Sequence, residues 1–138
     1  MPTTYPISAA YTDGQVLSAS NVNGISTAIN ELVATQFNAQ TGTSYTLVLA
    51  DAGKLVTLTN ASAVSLLVPT NASVALAVGT QILLYQGGAG QVTVSAVTPG
   101  TTTIRAQGSK TKISGQYGIA GLVKVATDEW VFFGNTAT

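Results

Sequence analysis

From Tyr45 onward the chain is written in short apolar runs with a period of two. Val56-Thr57-Leu58-Thr59, Val92-Thr93-Val94 and Leu122-Val123-Lys124-Val125 each set one face apolar and the next polar, the pattern of strands buried on one side. Ile82-Leu83-Leu84-Tyr85 is apolar on both faces and belongs centrally in a sheet or at a subunit contact. Residues that tolerate turn geometry interrupt the runs: Asp51-Ala52-Gly53, Pro69-Thr70-Asn71, Gly87-Gly88-Ala89-Gly90, Pro99-Gly100, Gln107-Gly108-Ser109 and Thr127-Asp128. Between them the pattern predicts strands at Tyr45–Leu49, Lys54–Thr59, Val64–Val68, Gln81–Gln86, Gln91–Ala96, Thr102–Ala106, Lys110–Ser114, Ile119–Ala126 and Glu129–Phe133. The expected fold is mainly β, an antiparallel β-sandwich or barrel-like domain over residues 41–138. Trp130, Phe132 and Phe133, on the last of these strands, are expected to seal its core.

A different period governs Val22, Ile25, Ile29 and Leu32. Spaced three, four and three apart, they form a heptad seam on one short helix that opens near Ser18 or Ser20, either of which offers a hydroxyl to the NH groups of the first turn. A helix this short is marginal in isolation, and Gly24 costs it about 1 kcal/mol, so packing must hold it. β-Branched residues along the seam suit a three-stranded bundle; the pattern equally suits a helix docked on its own β-domain. Before it, residues 1–17 lack helical periodicity and read as an extended arm. Tyr5, Pro6, Ile7, Tyr11 and Val16 are interleaved there with small polar residues in a segment that cannot build a core, so the arm either anchors to a neighbouring protein or frays. The expected organisation is arm and helix over residues 1–40, for attachment and oligomerisation, then the β-domain.

Composition sharpens this picture. Hydrophobic residues make up 46% of the chain and charged residues only 7%, against roughly 25% charged in an average soluble domain. From Leu55 to Ile104 there is no Asp, Glu, Lys or Arg. Surface polarity falls to Thr, Ser, Asn, Gln and Gly, which can be buried against another chain at lower desolvation cost than ions. Such a surface suits packing against copies of the same chain, the alternative being a monomeric β-domain with a neutral face; with the seam's suitability for three strands, a homotrimer is the expected state. No apolar run reaches the length of a membrane-spanning helix, and Met1–Ala10 lacks the basic and apolar regions of a secretory signal, so membrane insertion and export are not expected. Zero net charge argues against nucleic acid as a partner.

The same inventory leaves little for catalysis. Without His or Cys, most general-base and nucleophile arrangements are out of reach, and the expectation is a protein that is not an enzyme and holds no metal or cofactor. Asp128 and Glu129 are adjacent, so on a strand they point to opposite faces, unlike a glycosidase pair. Gly87–Gly90 lacks the Gly-Lys-Ser/Thr continuation of a phosphate loop and reads as a hairpin turn. Asn60-Ala61-Ser62 and Asn71-Ala72-Ser73 fit the glycosylation pattern but read as turns. Arg105, Lys110 and Lys112 surround one expected hairpin; they read first as edge-strand charges that discourage sheet-to-sheet pairing, and second as contacts for a partner or an acidic polysaccharide.

The stretch Tyr45 to Ser62, followed by Val68-Pro69-Thr70-Asn71, Gly79-Thr80-Gln81-Ile82, Gln86 to Thr93 and Asp128 to Gly134, resembles a β-domain of bacteriophage fibre and other virion structural proteins. Asp13 to Asn23, leading into the helix, is similar to the attachment segment of such fibres. The resemblance implies a trimeric appendage made in the host cytoplasm and anchored to capsid or tail proteins of the virion by its N-terminal part. The chain is too short for the long shaft and large tip of a tail fibre, which favours a short head fibre or capsid decoration protein. A tail-fibre or receptor-binding module that contacts host-surface polysaccharide is the alternative.

Overall fold

The two periods of the sequence emerge as separate units in a computed structural model that describes residues 19–33 and 36–138. The chain divides after Gln36. Among the described residues of the first unit, the helix α1 runs over Ala19–Val33. Thr27 turns its hydroxyl back to the Asn23 carbonyl at 2.9 Å, which satisfies a small polar residue in a helix interior.

The second unit holds eleven strands: β1 Phe37–Gln40, β2 Ser44–Thr46, β3 Leu55–Leu58, β4 Val64–Val68, β5 Gln81–Gln86, β6 Val92–Ala96, β7 Thr103–Ala106, β8 Lys112–Ile113, β9 Ile119–Ala126, β10 Glu129–Gly134 and β11 Thr136–Ala137. They form a six-stranded sheet in the order β1-β3-β5-β9-β10-β7 and a five-stranded sheet in the order β11-β8-β6-β4-β2. Val56, Leu58, Ile82, Leu84, Leu122, Trp130 and Phe132 of the larger sheet share one buried cluster with Val64, Leu66, Val92, Val94 and Ile113 of the smaller. At about 1.5–3 kcal/mol for each large apolar side chain buried, this shared interior is the main stabilising term. The mainly β expectation holds, and the two sheets enclose a single sandwich-like core.

Strand direction departs from expectation: both sheets are mixed, not antiparallel. β1, β3 and β5 pair in parallel in one sheet, and β2, β4 and β6 pair in parallel in the other. Each strand of this half hands the chain across to the opposite sheet, so successive strands stack as three rungs of a flattened coil. Antiparallel pairing begins where β8 lies beside β6, and it recurs where β9 returns beside β5 and leads into β10 through the two-residue turn Thr127-Asp128; β7 pairs with β10 in parallel. The physical reason is the corner. A parallel pair needs a crossover, and here the crossover is a strand of the other sheet.

The corners stack as the strands do. The Gly87–Gly90 stretch is therefore not a hairpin turn but the third corner, lying on the second. Gly87 donates its NH to the Leu58 carbonyl and Gly90 to the Asn60 carbonyl, each at 2.9 Å. Asn60 in turn donates its side-chain amide to the Thr41 carbonyl of the first corner at 2.7 Å and accepts the Ser62 NH at 2.8 Å. A Cβ at Gly88 or Gly90 would collide with the backbone of Asn60 or Ser62, so this corner requires glycine for space. Strand β1 also lies within the β-domain, paired residue by residue with β3, where the sequence pattern places Phe37–Gln40 in the N-terminal region.

Candidate functional site

Alternation and register together decide what each sheet shows on its outer side. On the larger sheet one row across the strands reads Phe37, Leu55, Leu83, Gly121, Phe133. The next row reads Ala39, Thr57, Tyr85, Ile119. The row on the other side reads Gln81, Val123, Val131, Arg105. Phe37 is 69% exposed, Ile119 47%, Phe133 46% and Leu83 40%, values far from those of a finished protein interior. The Phe133 ring occupies the space a side chain at Gly121 would take, filling the gap in the row. Charge enters this face only at its β7 rim, where Arg105 Nε donates to Glu129 Oε1 at 2.8 Å.

The smaller sheet shows the reverse. Its outer rows read Ser44, Ser65, Thr93, Lys112, Ala137 and Thr46, Leu67, Ser95. This is a hydroxyl-covered, solvent-type surface.

Apolar side chains are also exposed away from these rows, among them Leu49, Val78 and Tyr117, and on α1. Val22 and Ile25 are each about half exposed. Ile29 and Leu32 lie on the same helix, and their side chains fall outside the described residues. Tyr5, Pro6, Ile7, Tyr11 and Val16 of the expected arm also fall outside them.

Arg105, Lys110 and Lys112 do not flank a hairpin. Arg105 is on β7, the edge strand of the larger sheet, while Lys112 is on β8 in the smaller one, with Lys110 exposed between them. Arg105 alone of the three is on an edge strand; β8, which carries Lys112, is paired on both sides by β11 and β6. Arg105 also borders a shallow depression of about 420 Å³ whose lining includes Gln107, Val131, Phe133 and Thr136.

Two polar clusters lie inside, and the sequence pattern signalled neither. Lys124 was counted with the polar face of its strand, yet it points inward beside Leu122 and is 2% exposed. Val125 takes the outer side. The ammonium donates to Asn71 Oδ1 at 2.6 Å and to the Leu76 carbonyl at 2.7 Å, and lies 5.8 Å from the centre of the Trp130 ring. The segment after β4 is thereby folded onto the sheet, and Asp128 fastens it again by accepting the Asn71 NH at 2.7 Å. Asp128 and Glu129 thus serve different neighbours.

Asp51, fully buried, accepts from Asn38 Nδ2 at 2.7 Å, from the Tyr45 hydroxyl at 2.9 Å and from the Val48 NH at 2.8 Å. Burial first, and then the Asp51 carboxylate, hold the Tyr45 phenol above its ordinary pKa. The cluster ties β1, β2 and the turn Leu49–Asp51 into the first rung. Its carboxylate is fully engaged as an acceptor, which is a structural role.

Among the described residues, no three Asp, Glu, His or Cys side chains converge as metal ligands, and no helix is long and apolar enough to cross a membrane. Compared with known proteins, the chain matches no family model and no curated sequence.

Proposed function

We propose that this chain is a bacteriophage virion structural protein, a short trimeric head fibre or capsid decoration protein anchored to the particle by its N-terminal part. The observation that carries the reading is on α1: an amphipathic helix of 15 residues whose Val22 and Ile25 are each about half exposed is marginal alone and is stabilised by partners. A charge-poor β-domain wound in stacked rungs supports it, being suited to dense packing in a larger assembly and offering few reactive groups. The N-terminal resemblance to fibre attachment segments gives the anchor.

Light scattering on the full chain tests the first step. Three times the single-chain mass of 13.9 kDa is expected at micromolar concentration, and a single-chain mass would overturn the reading. Immunogold labelling of virus particles then decides location, with label on the capsid surface expected and label absent from particles as the opposing result.

A second reading, a tail-fibre module that contacts host glycan, draws on the depression at the β7 rim, whose lining includes both Arg105 and Phe133. A glycan array without signal for the trimer would remove it.

A further inference from the structure

We propose that Lys124 and Asn71 join in an intramolecular isopeptide bond, a covalent tie between β9 and the segment that follows β4. Every group involved belongs to the β-domain, and no other copy of the chain is needed.

The two side chains are already at reacting distance. Lys124 is buried, and its Nζ lies 2.6 Å from Asn71 Oδ1. Since a carbonyl is about 1.23 Å long, Nζ stands roughly 3–4 Å from Asn71 Cγ; near-attack contacts are about 3–3.5 Å. A turn about the soft χ2 torsion of Asn71 presents the face of that carbon to the nitrogen. Both residues are also held by their backbones. Lys124 donates its NH to the Thr80 carbonyl at 2.9 Å and accepts the Gly79 NH at 2.7 Å, while the Asn71 NH is held by Asp128 Oδ1 at 2.7 Å. The Leu76 carbonyl fixes the amine from a second direction, at 2.7 Å. Fixing both partners replaces the encounter that makes amide exchange slow in solution.

Electrostatics favour the product. The ammonium is surrounded by two neutral acceptors and the Trp130 ring, and among the described residues the ion pair joins Arg105 to Glu129 and does not involve Lys124. A buried charge without a countercharge is costly. The amide that replaces it is neutral and keeps an NH for the Leu76 carbonyl.

In the reaction Nζ attacks Asn71 Cγ; the Nζ–Cγ bond forms and the Cγ–Nδ2 bond breaks. Nζ gives up two protons and the departing Nδ2 takes up two, so the lysine ammonium and the asparagine amide become a secondary amide and a free ammonium ion. Charge and atoms balance without an oxidant or any further reactant. Asp128 is the carboxylate bonded to Asn71, with the Thr102 hydroxyl 3.5 Å from the same oxygen, and its part is to relay protons between the two nitrogens.

Trypsin reads the bond directly in the unmodified full chain, which it cuts after Lys54, Arg105, Lys110, Lys112 and Lys124. A linked Lys124 is no longer a cleavage site. Mass spectrometry of the digested, denatured protein is expected to show residues 55–105 joined to residues 113–138 as one branched species, lighter than the two peptides together by the lost ammonia, about 17 Da. Separate peptides 113–124 and 125–138, with 55–105 at its full mass, would overturn the proposal and leave an ordinary hydrogen bond. Loss of ammonia from 55–105 alone, with Lys124 still cleaved, overturns it as well, because Asn71 has then closed on its own backbone. Lys124→Met and Asn71→Ala are each expected to abolish the branched species, and its persistence in either overturns the assignment to this pair. The unmodified chain gives the deciding digest even where a variant fails to fold. Asp128→Asn keeps an oxygen for the Asn71 NH and is expected to slow linkage at least about tenfold in freshly made protein; an unchanged rate overturns the relay.

Discussion

The two sheets share one interior and differ in everything turned away from it. The larger presents Phe37, Leu83, Ile119 and Phe133 outward and buries Lys124 inward; the smaller presents Ser44, Ser65 and Thr93 outward and buries Val64, Leu66, Val92 and Val94. Apolar surface left in water costs about 25 cal/mol per Å², so the two outer faces carry different costs. The difference shows that binary pattern alone does not mark the inside. One sheet turns mostly hydroxyl-bearing side chains outward and the other apolar ones, and the inner lysine is sustained by acceptors that a neighbouring segment brings to it.

That contrast can be broken from the inside outward. Lys124→Ala should have the largest effect: it removes packing beside Trp130 and leaves Asn71 Oδ1 and the Leu76 carbonyl without their donor, a loss of about 2–4 kcal/mol in urea unfolding of the full chain. A matched Ser65→Ala change on the smaller sheet should leave the midpoint within about 0.5 kcal/mol. Gly90→Ala, at the corner joining β5 to β6, forces a Cβ into the backbone of Ser62 and should cost about 1–3 kcal/mol by thermal unfolding, with Ala89→Ser beside it nearly neutral. At the rim, Arg105→Ala breaks an ion pair whose arginine is 65% exposed, and screening should hold the change below about 1 kcal/mol.

The smallest effect is one of pH. The phenol of Tyr45 has a folded pKa raised above the ordinary value of 10.0, so its neutral form favours the folded state. Its contribution is fully present below pH 10.0 and declines as pH rises through the folded value, because the unfolded chain releases the proton first. Tyr45→Phe should therefore flatten part of the alkaline loss of stability, measured as the urea midpoint on either side of that pH. An unchanged alkaline slope would show that Tyr45 does not contribute to it.

Much of the strand layout was legible. Val64–Val68, Gln81–Gln86 and Ile119–Ala126 begin and end where alternation and turn residues placed them, and the central placement expected for the doubly apolar Ile82–Tyr85 run is where β5 lies. Phe37–Gln40 was missed because one aromatic residue among small polar ones has no visible period, and its strand character comes from pairing with β3. The aromatic cluster at the chain's end was half right: Trp130 and Phe132 seal the core, while Phe133 alternates to the outside. Of the candidate contact residues, Arg105, Lys110 and Lys112 were near in sequence but were divided between two sheets. The apolar outer face had one available signal, the two-sided apolarity of Ile82–Tyr85. Its full extent required the register of five strands.

By itself, then, the sequence determined where most strands and the helix form, that the chain would be poor in charge, and that an apolar heptad runs along the helix; these depend on neighbours a few residues away and on composition. The direction of pairing, the stacked corners, the inward turn of Lys124 and the apolar outer sheet were decided only by tertiary structure. A period of two fixes that side chains alternate, but which side is buried and which strand lies alongside depend on residues far away in the chain. A corner leading to the opposite sheet uses the same glycine and asparagine as a hairpin returning to its own.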